Sequence, residues 1–554
     1  MAYYGIDLGT TYCSVAVASR GVVTRVPLER GGFTLASVAL LDGRLPRSPR
    51  VLTGQHAVTR YRDICAEVGD VPPGVSLVRG SKRHMAAAEV PGGPPWFVDT
   101  MALHATDIAA LLLRALGQYI ARNPALPPMD GVVVTHPQRF RNRERRAVAQ
   151  AAAIAGLRAA ALLPEPDAAA YAYGLGRQFG PRGSTFLVFD FGGGTLDVTV
   201  MHRTGDGASP RLDALGSYGV ELGGLGVDER LRERLVQRYL HAVGRSDLGL
   251  EDLSEASRET LLGVAEGMKV QLNAHAGGDT NPLARVAVRT VSVALASGEV
   301  LPTVPLRLSL SELSEWIADV TDRAADCAAE ALSRAGIAWA GLDEVLLVGG
   351  SSWLYPVQSR IRELVAAAAG PAEIAVRLFD DMDDPLNPAT AVAAGAARYA
   401  EHLAGEGGAA VDYRGVTPDA FGVRAREADP DRPGERREAL AVLVPARTRV
   451  PFEGRRVFRK RGGARVLPIE VLEGSSLAEA TPLGCFPVEL DAALPDGANV
   501  EVTLAVGRDG VLRLSVRDPV TDTTRGVTLA DAEGLYADDE LDERRRWLAG
   551  VSVE

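Results

Sequence analysis

Up to about residue 400, short β-branched runs alternate with Ala- and Leu-rich stretches of helical periodicity. Val132–Thr135, Phe186–Asp190 and Val345–Val348 read as buried strands, and 142–156 and 320–335 as helices. Such alternation predicts an α/β fold. At 401–416 the pattern gives way to EHLAGEGGAAVDYRGV, where Gly405, Gly407 and Gly408 follow the last helical stretch and predict a flexible connector. From 417 to 530, strands alternate with turn signals at Pro445, Gly462-Gly463, Pro495-Asp496-Gly497 and Asp509-Gly510, the last a hairpin turn, so this part is expected to be all-β. Pro468 inside one of these strands calls for an edge position or a bulge. ADDELDERRRWLAGVSVE predicts one short charged helix with little apolar face. The expected units are 1–404, a connector at 405–416, a sandwich at 417–530 and a helical tail at 531–554.

With 554 residues and 46% hydrophobic content, the chain has material for several large cores. Sixty Lys and Arg against 71 Asp and Glu leave a net charge of −11 without a basic block, which argues against nucleic-acid and anionic-membrane partners. Cys13, Cys65, Cys327 and Cys485 lie far apart with no CxxC pair, which disfavours a disulfide framework or a zinc site. The opening MAYYGIDLGTTYCSVAVA is interrupted by Asp7 and threonines, so no secretory signal is expected there, and no apolar window of about 20 residues suggests a membrane span. A cytoplasmic protein is expected.

In Gly5-Ile6-Asp7-Leu8-Gly9-Thr10-Thr11-Tyr12, a strand ending in an acid runs into a turn whose glycine and hydroxyl residues can offer backbone N–H groups to a phosphate. Taken alone, such a turn is common. Phe186 to Asp197 repeats the order, with Asp190, Phe191, Gly192, Gly193, Gly194 and Thr195 in the turn. Two such hairpins face to face suit a polyphosphate gripped from both sides, with Asp7 and Asp190 placed to hold magnesium, through water because that ion keeps most of its shell. Further glycine pairs occur at Gly223-Gly224 and at Gly349-Gly350, the latter followed by Ser351. Glu266, Lys269 and Asn273 recur on one helical face, which suits either a ribose and adenine edge or a plain solvated helix face with one ion pair.

These two hairpins, with VVVTHPQRF at 132–140, LLPEPDAAAYAYG at 162–174 and LVGGSS at 347–352, resemble the seventy-kilodalton heat-shock chaperone (DnaK-type) family. GVTPDAFGV, RVPFEGRRVF, LPIEVLEG, LGCFPVEL and DGVLRLSVRD extend the likeness into its peptide-binding part. The resemblance implies an α/β, actin-like (ribonuclease-H-like, duplicated) two-lobed ATPase domain followed by an all-β sandwich and a short C-terminal helix. It implies ATP/ADP and Mg2+ as cofactors and extended apolar polypeptide as client. Asp7, Gly9, Thr10, Thr11, Tyr12, Gly192, Gly193, Gly194 and Thr195 would then surround the phosphates and magnesium, and Asp197 would help hold the attacking water. Lys82 matches the family's catalytic lysine and Glu165 the acid that senses the metal. Gly223, Gly224, Glu266, Lys269, Asn273, Gly349, Gly350, Ser351 and Trp353 would form the rest of the nucleotide site. Pro137 and Arg145 match the interdomain switch, and Val423, Arg426, Leu467 and Ile469 the peptide cleft and its support.

Several positions depart from the family pattern. Val270 replaces a basic residue, and Trp353 replaces an arginine that stacks on the base, so Trp353 either stacks there itself or fills the gap beside Val270. Ala389 replaces an acid, and Ala161 an arginine used in docking J-domain cochaperones, so a J-domain partner and a nucleotide exchange factor are weak expectations. Arg426 stands at a usually apolar position of the cleft, and the connector lacks the family's leucine-rich motif. The long helical lid is expected to be absent, which would favour fast peptide release. A nucleotide-gated scaffold with negligible hydrolysis and one dedicated partner is the alternative function. A sugar or acetate kinase of the wider superfamily would share the hairpins but not the β-rich part.

Overall fold

The computed structural model describes residues 1–44, 50–68, 71–85, 87, 95–98, 101–175, 183–205, 210–274, 282–368, 374–379, 384, 386–406, 411–417, 419–428, 432, 434–460, 466–489, 495–507, 512–518, 521–528 and 536–553. Gly407, Gly408, the Gly462-Gly463 turn and the Asp509-Gly510 turn lie outside the described residues.

Two six-stranded sheets share one plan. In the first lobe β1 (Tyr3–Asp7) and β2 (Tyr12–Ser19) form an antiparallel hairpin, β3 (Val22–Arg25) and Thr34–Ala36 extend it beyond β2, and β4 (Gly131–His136) and β5 (Ala159–Pro164) add parallel strands on the other side. In the second lobe β6 (Ser184–Phe191) and β7 (Leu196–Thr204) form the hairpin and β8 (Arg211–Val220) extends it, while β9 (Glu344–Val348) and β10 (Ala375–Leu378) run parallel beyond β6. Strands at sheet centres are buried on both faces, which is why β6 reads as the near-continuous apolar run FLVF. Helices follow the parallel strands: α1 (Asn142–Ile154) after β4, and α2 (Glu165–Leu175) directly after β5. The second lobe also carries α3 (Gly224–Ala242) and α4 (Glu255–Asn273), whose N-terminus is capped by the Ser254 side chain accepting from Ser257 N.

One alanine-rich helix joins the lobes. α5 (Ala391–Leu403), reached after the second lobe's strands, lies against β1, β2, β4 and α2 of the first. The approach depends on missing side chains: a Cβ on Gly5 would sit 2.2 Å from Ala393 O, and one on Gly395 would sit 1.7 Å from Ala168 O. Ala16, Ala18, Ala393, Ala394 and Ala397 fill the seam.

The expected connector contributes order of its own. β11 (Asp412–Arg414) pairs in parallel with β8 at the edge of the second sheet, and Tyr413, absent from the sequence reading, donates its hydroxyl hydrogen bond to buried Asp167 in the first turn of α2. Beyond it lie two antiparallel four-stranded sheets. One orders β13 (Arg436–Val444), β12 (Phe421–Ala428), β15 (Val466–Glu473) and β16 (Thr481–Glu489); the other orders β14 (Phe452–Arg459), β17 (Asn499–Val506), β18 (Leu512–Arg517) and β19 (Thr524–Thr528). Alternate residues from both, among them Val471, Val500, Val502 and Leu504, make the sandwich core. Pro468 meets the edge expectation in a local form, because β12 pairs only with Val471, Leu472 and Glu473 and leaves the Pro468 half of β15 bonded to β16 alone.

The tail forms a helix, α6 (Asp538–Gly550), followed by a short strand β20 (Ser552–Val553). The expectation of little apolar face is corrected by what flanks and ends the helix. Tyr536, Leu548, Val551 and Val553 are all buried in the first lobe's core. Among the described residues, no helix is long and apolar enough to cross a membrane.

Candidate functional site

The four glycine turns named from the sequence meet at one place. A Cβ on Gly193 would lie 1.9 Å from Thr11 Oγ1 and one on Gly194 2.5 Å from Thr10 Oγ1, so the two hairpin turns touch across the gap between lobes. Gly224 N donates to Gly192 O at 3.1 Å and Leu225 N to Gly193 O at 2.9 Å, which fixes the start of α3 against the second turn. Ser351 Oγ donates to Gly192 O at 2.8 Å, which ties the Gly349–Ser351 turn to the same point. Gly349 has φ +80° and would place a Cβ 2.5 Å from both Asp190 Oδ1 and Phe191 O, so only glycine fits there. The result is a cradle of backbone amides and small hydroxyls, a surface shaped for phosphate oxygens. Thr11 Oγ1 is buried there without a hydrogen-bond partner.

Charge converges on the same cradle. Lys82, from a short 3-10 turn after Gly80, is 7% exposed, and its ammonium donates to Glu165, itself 8% exposed at the N-terminus of α2. A lysine this buried is no solvated surface charge. Burial alone would pull its pKa down, but Glu165 and Asp7 hold the ammonium above the ordinary lysine value. Burial, with Glu165 adding to it, pushes Asp7 up to about 7 against the opposing pull of Lys82 and of Thr135 Oγ1, which donates at 3.3 Å. Asp190 is pushed well above the usual carboxylate range by burial and by Glu165, Asp7 and Asp197. Burial and Glu165 raise Asp197 to about 7, although Arg139 N donates to its Oδ1 at 3.1 Å.

One buried lysine therefore faces three carboxyl groups, Glu165, Asp7 and Asp190, with Asp197 coupled to them through Glu165, and Asp197 Oδ2 is buried without a hydrogen-bond partner. A surplus of hard oxygen donors is the chemistry a divalent cation satisfies. Among the described residues no three acidic, His or Cys side chains stand close enough to ligate one ion together. The residues present fit magnesium.

Beside the cradle, Glu266 and Lys269 share the predicted face of α4. Tyr12 OH donates to Glu266 Oε1 at 2.8 Å, joining the first lobe to the second, and Lys269 Nζ donates to Asp228 Oδ2 at 2.7 Å. Asn273 differs: it is buried, accepts from Tyr355 N at 2.7 Å and donates to Lys269 O at 2.8 Å, so its amide braces the site from behind. Trp353 is half-buried, and Val270 is 60% exposed on the helix surface.

A family model described as Hsp70 protein matches residues 90–546. The chain belongs to the Hsp70 family. Similar curated proteins include "Chaperone protein dnaK3" of Synechococcus elongatus and "Chaperone protein DnaK 1" of a Synechococcus species. Each is 28% identical, over 96% of this chain and 66% of its own length. This Hsp70 thus spans just under two thirds of those relatives. Its first hairpin and Lys82 lie ahead of the family match, so their assignment rests on the cradle geometry above.

The Hsp70 sandwich meets the first lobe at the N-terminus of α1. Pro137 is buried just ahead of that helix. Glu473, 0% exposed at the end of β15, accepts from Asn142 N at 2.9 Å and lies 3.6 Å from the Arg145 guanidinium. A carboxylate there faces unbonded amides and the positive end of the helix dipole. Arg141 adds a 3.1 Å hydrogen bond to Thr481 Oγ1 and a 3.3 Å ion pair to Asp419. Of the expected cleft residues, Val423 and Ile469 belong to the sandwich core, Leu467 is half-buried at its edge and Arg426 is exposed on the outer face. Sequence reasoning missed Thr135, Arg139, Asp228, Tyr413 and Glu473. Thr135 and Arg139 sit inside the quoted VVVTHPQRF segment, Tyr413 inside the quoted connector and Glu473 inside LPIEVLEG, but the partners of all five are set only by folding.

Proposed function

We propose that this Hsp70 binds Mg-ATP between its two lobes, hydrolyses it slowly, and uses the nucleotide to control how its β-sandwich holds extended apolar segments of unfolded polypeptide. The buried Lys82–Glu165 pair among Asp7, Asp190 and Asp197 carries this proposal. Thr10, Thr11 and the turn at 192–195 bind the phosphates through backbone amides and hydroxyls. Lys82 neutralises charge that builds on the terminal phosphate and orients the water, with Asp197 and Thr195 as the water's other holders. Asp7 and Asp190 are the residues that would hold magnesium, and the ion would supply neutralisation of phosphate charge. Hydrolysis of this kind rests on positioning rather than on a strong base.

The units proposed are 1–404 for nucleotide, 405–416 as connector, 417–530 for peptide and 531–554 as tail. Arg145 and Pro137 pass the nucleotide state to the sandwich; the direct contact of Arg145 with Glu473 supports that role. The half-buried Leu467 and Phe458 at the edge of the core support an apolar peptide pocket there. A J-domain cochaperone and an exchange factor belong to the proposal only as family partners.

Single-turnover hydrolysis of Mg-ATP by the full chain tests the assignment. Lys82→Ala and Glu165→Ala should each slow the chemical step while nucleotide still binds. Unchanged hydrolysis in both variants would overturn it.

A further inference from the structure

The segment from Tyr536 to Val553 makes contacts that the ATPase chemistry does not use. Asp107, 2% exposed in the helix Ala105–Arg122 of the first lobe, accepts from Tyr536 OH and, at 3.0 Å, from Arg544 Nη1. Arg544 also donates to Ala102 O at 2.7 Å, and its guanidinium lies 4.6 Å from the centre of the Tyr536 ring. Gln150 of α1 donates to Tyr536 O at 2.8 Å and accepts from Tyr536 N at 3.3 Å, a reciprocal pair of bonds. Arg545 Nε reaches Ala153 O, also in α1, at 3.0 Å. Leu548 is 0% exposed, and β20 continues a first-lobe sheet by pairing in parallel with Arg50–Thr53, Val553 opposite Val51. Tyr536, Arg544 and Arg545 thus each bond to the first lobe, and the segment's apolar side chains enter that lobe's core.

We infer that residues 536–553 are a built-in anchor that keeps the β-sandwich close to helix α1 in both the ATP and the ADP state. Two observations carry this. α1 holds both attachments, the sandwich through Asn142 and Arg145 at its N-terminal end and the anchor through Gln150 and Ala153 toward its C-terminal end. Among the described residues, the anchor's hydrogen bonds to Asp107, Ala102, Gln150 and Ala153 and its strand pairing with Arg50–Thr53 all lie in the first lobe, away from the glycine cradle and the Lys82–Glu165 pair, so these contacts give the nucleotide no direct hold on the seated form. Between Thr528 at the end of β19 and Tyr536 the chain has eight residue steps, a reach of at most roughly 28 Å when fully extended. A sandwich released from Glu473 would therefore remain at high effective concentration beside α1 and rebind.

Hydrogen exchange of the full chain, with ADP and with Mg-ATP, tests seating directly; small-angle scattering reports how far the sandwich strays. Amides of 548–553 and of 50–53 should be protected by 100-fold or more in both nucleotides. Leu548→Asp and Val551→Asp should cut that protection at least 10-fold, speed exchange at residues 142–145 and increase the radius of gyration. Bound nucleotide, followed by fluorescence polarisation, checks that the lobes of these variants remain folded; should either lose it, Tyr536→Phe combined with Arg544→Ala removes only groups of the anchor. Tail amides exchanging at the unfolded rate in either nucleotide would overturn the proposal. So would a freed tail that leaves the radius of gyration and the protection of 142–145 unchanged. Neither readout depends on hydrolysis, so a failed ATPase assignment and a failed anchor give different results.

Discussion

At the residue scale, the site is a problem of charge. Asp7, Asp190 and Glu165 gather around one ammonium with Asp197 beside them, and burial makes ionisation of the three aspartates costly. Unfolded carboxylates titrate near 3.9, whereas Asp7 and Asp197 do so at about 7 in the fold, so the native state holds more protons than the unfolded state across that window. Stability without ligand should therefore fall as pH rises from about 4 to about 7. A bound cation compensates the charge that remains, so the rise in melting temperature on adding Mg-ATP should be larger at pH 8 than at pH 6; calorimetric scans at the two values check this. Asp7→Asn should raise the melting temperature of the nucleotide-free protein at pH 8 while weakening that Mg-ATP response. Lys82→Ala should slow hydrolysis on the order of 100-fold or more, the usual loss when a donor to developing charge is removed, as read in single turnover.

Elements set how close these residues come. α5 joins the lobes only because Gly5 and Gly395 leave room for backbone against backbone. Gly395→Ala would drive a methyl group into Ala168 O, at the root of α2 only three residues beyond Glu165. Overpacking of this kind costs about 1–3 kcal/mol or more, so thermal denaturation should show a clear drop, with Ala394→Gly at the same seam as a milder comparison. The repeated acid-glycine-threonine hairpins and α1 were legible in the chain because each is local: a strand ends, a turn needs glycine, a helix begins. The burial of Lys82 was not legible, since nothing in Gly80-Ser81-Lys82-Arg83 distinguishes an interior lysine from a solvated one. The same holds for Asn273, whose helical spacing with Glu266 and Lys269 was readable although its buried bond to Tyr355 N was not.

At the scale of the whole molecule, both ends of the sandwich return to the two α/β lobes. On one side β11 extends the second sheet, and Tyr413 closes on Asp167, two residues from Glu165. Burial pushes Asp167 up to about 7, with the Tyr413 hydrogen bond opposing the shift. Tyr413→Phe leaves that carboxyl without its donor, at a cost of about 1–3 kcal/mol. Faster amide exchange at 412–414, with the sandwich core unaffected, is the expected outcome by mass spectrometry. The glycine-rich text at 401–416 suggested flexibility from composition, which carries no information about the Asp167 hydroxyl acceptor waiting across the fold. On the other side, the charged look of α6 hid an anchor, because its few apolar residues Leu541, Trp547 and Leu548 are joined by Tyr536, Val551 and Val553 from just outside the helix.

The sequence by itself determined the α/β halves, the all-β part, the turns that must be glycine and the family likeness, since periodicity, turn chemistry and motif spacing are written within a few residues of each other. Tertiary structure alone decided which charges are buried, that four turns from distant segments share one point, that Glu473 caps α1 and that Tyr413 and Tyr536 dock where they do. Those outcomes depend on dielectric, on desolvation and on partners more than a hundred residues apart, and only the folded chain brings these together.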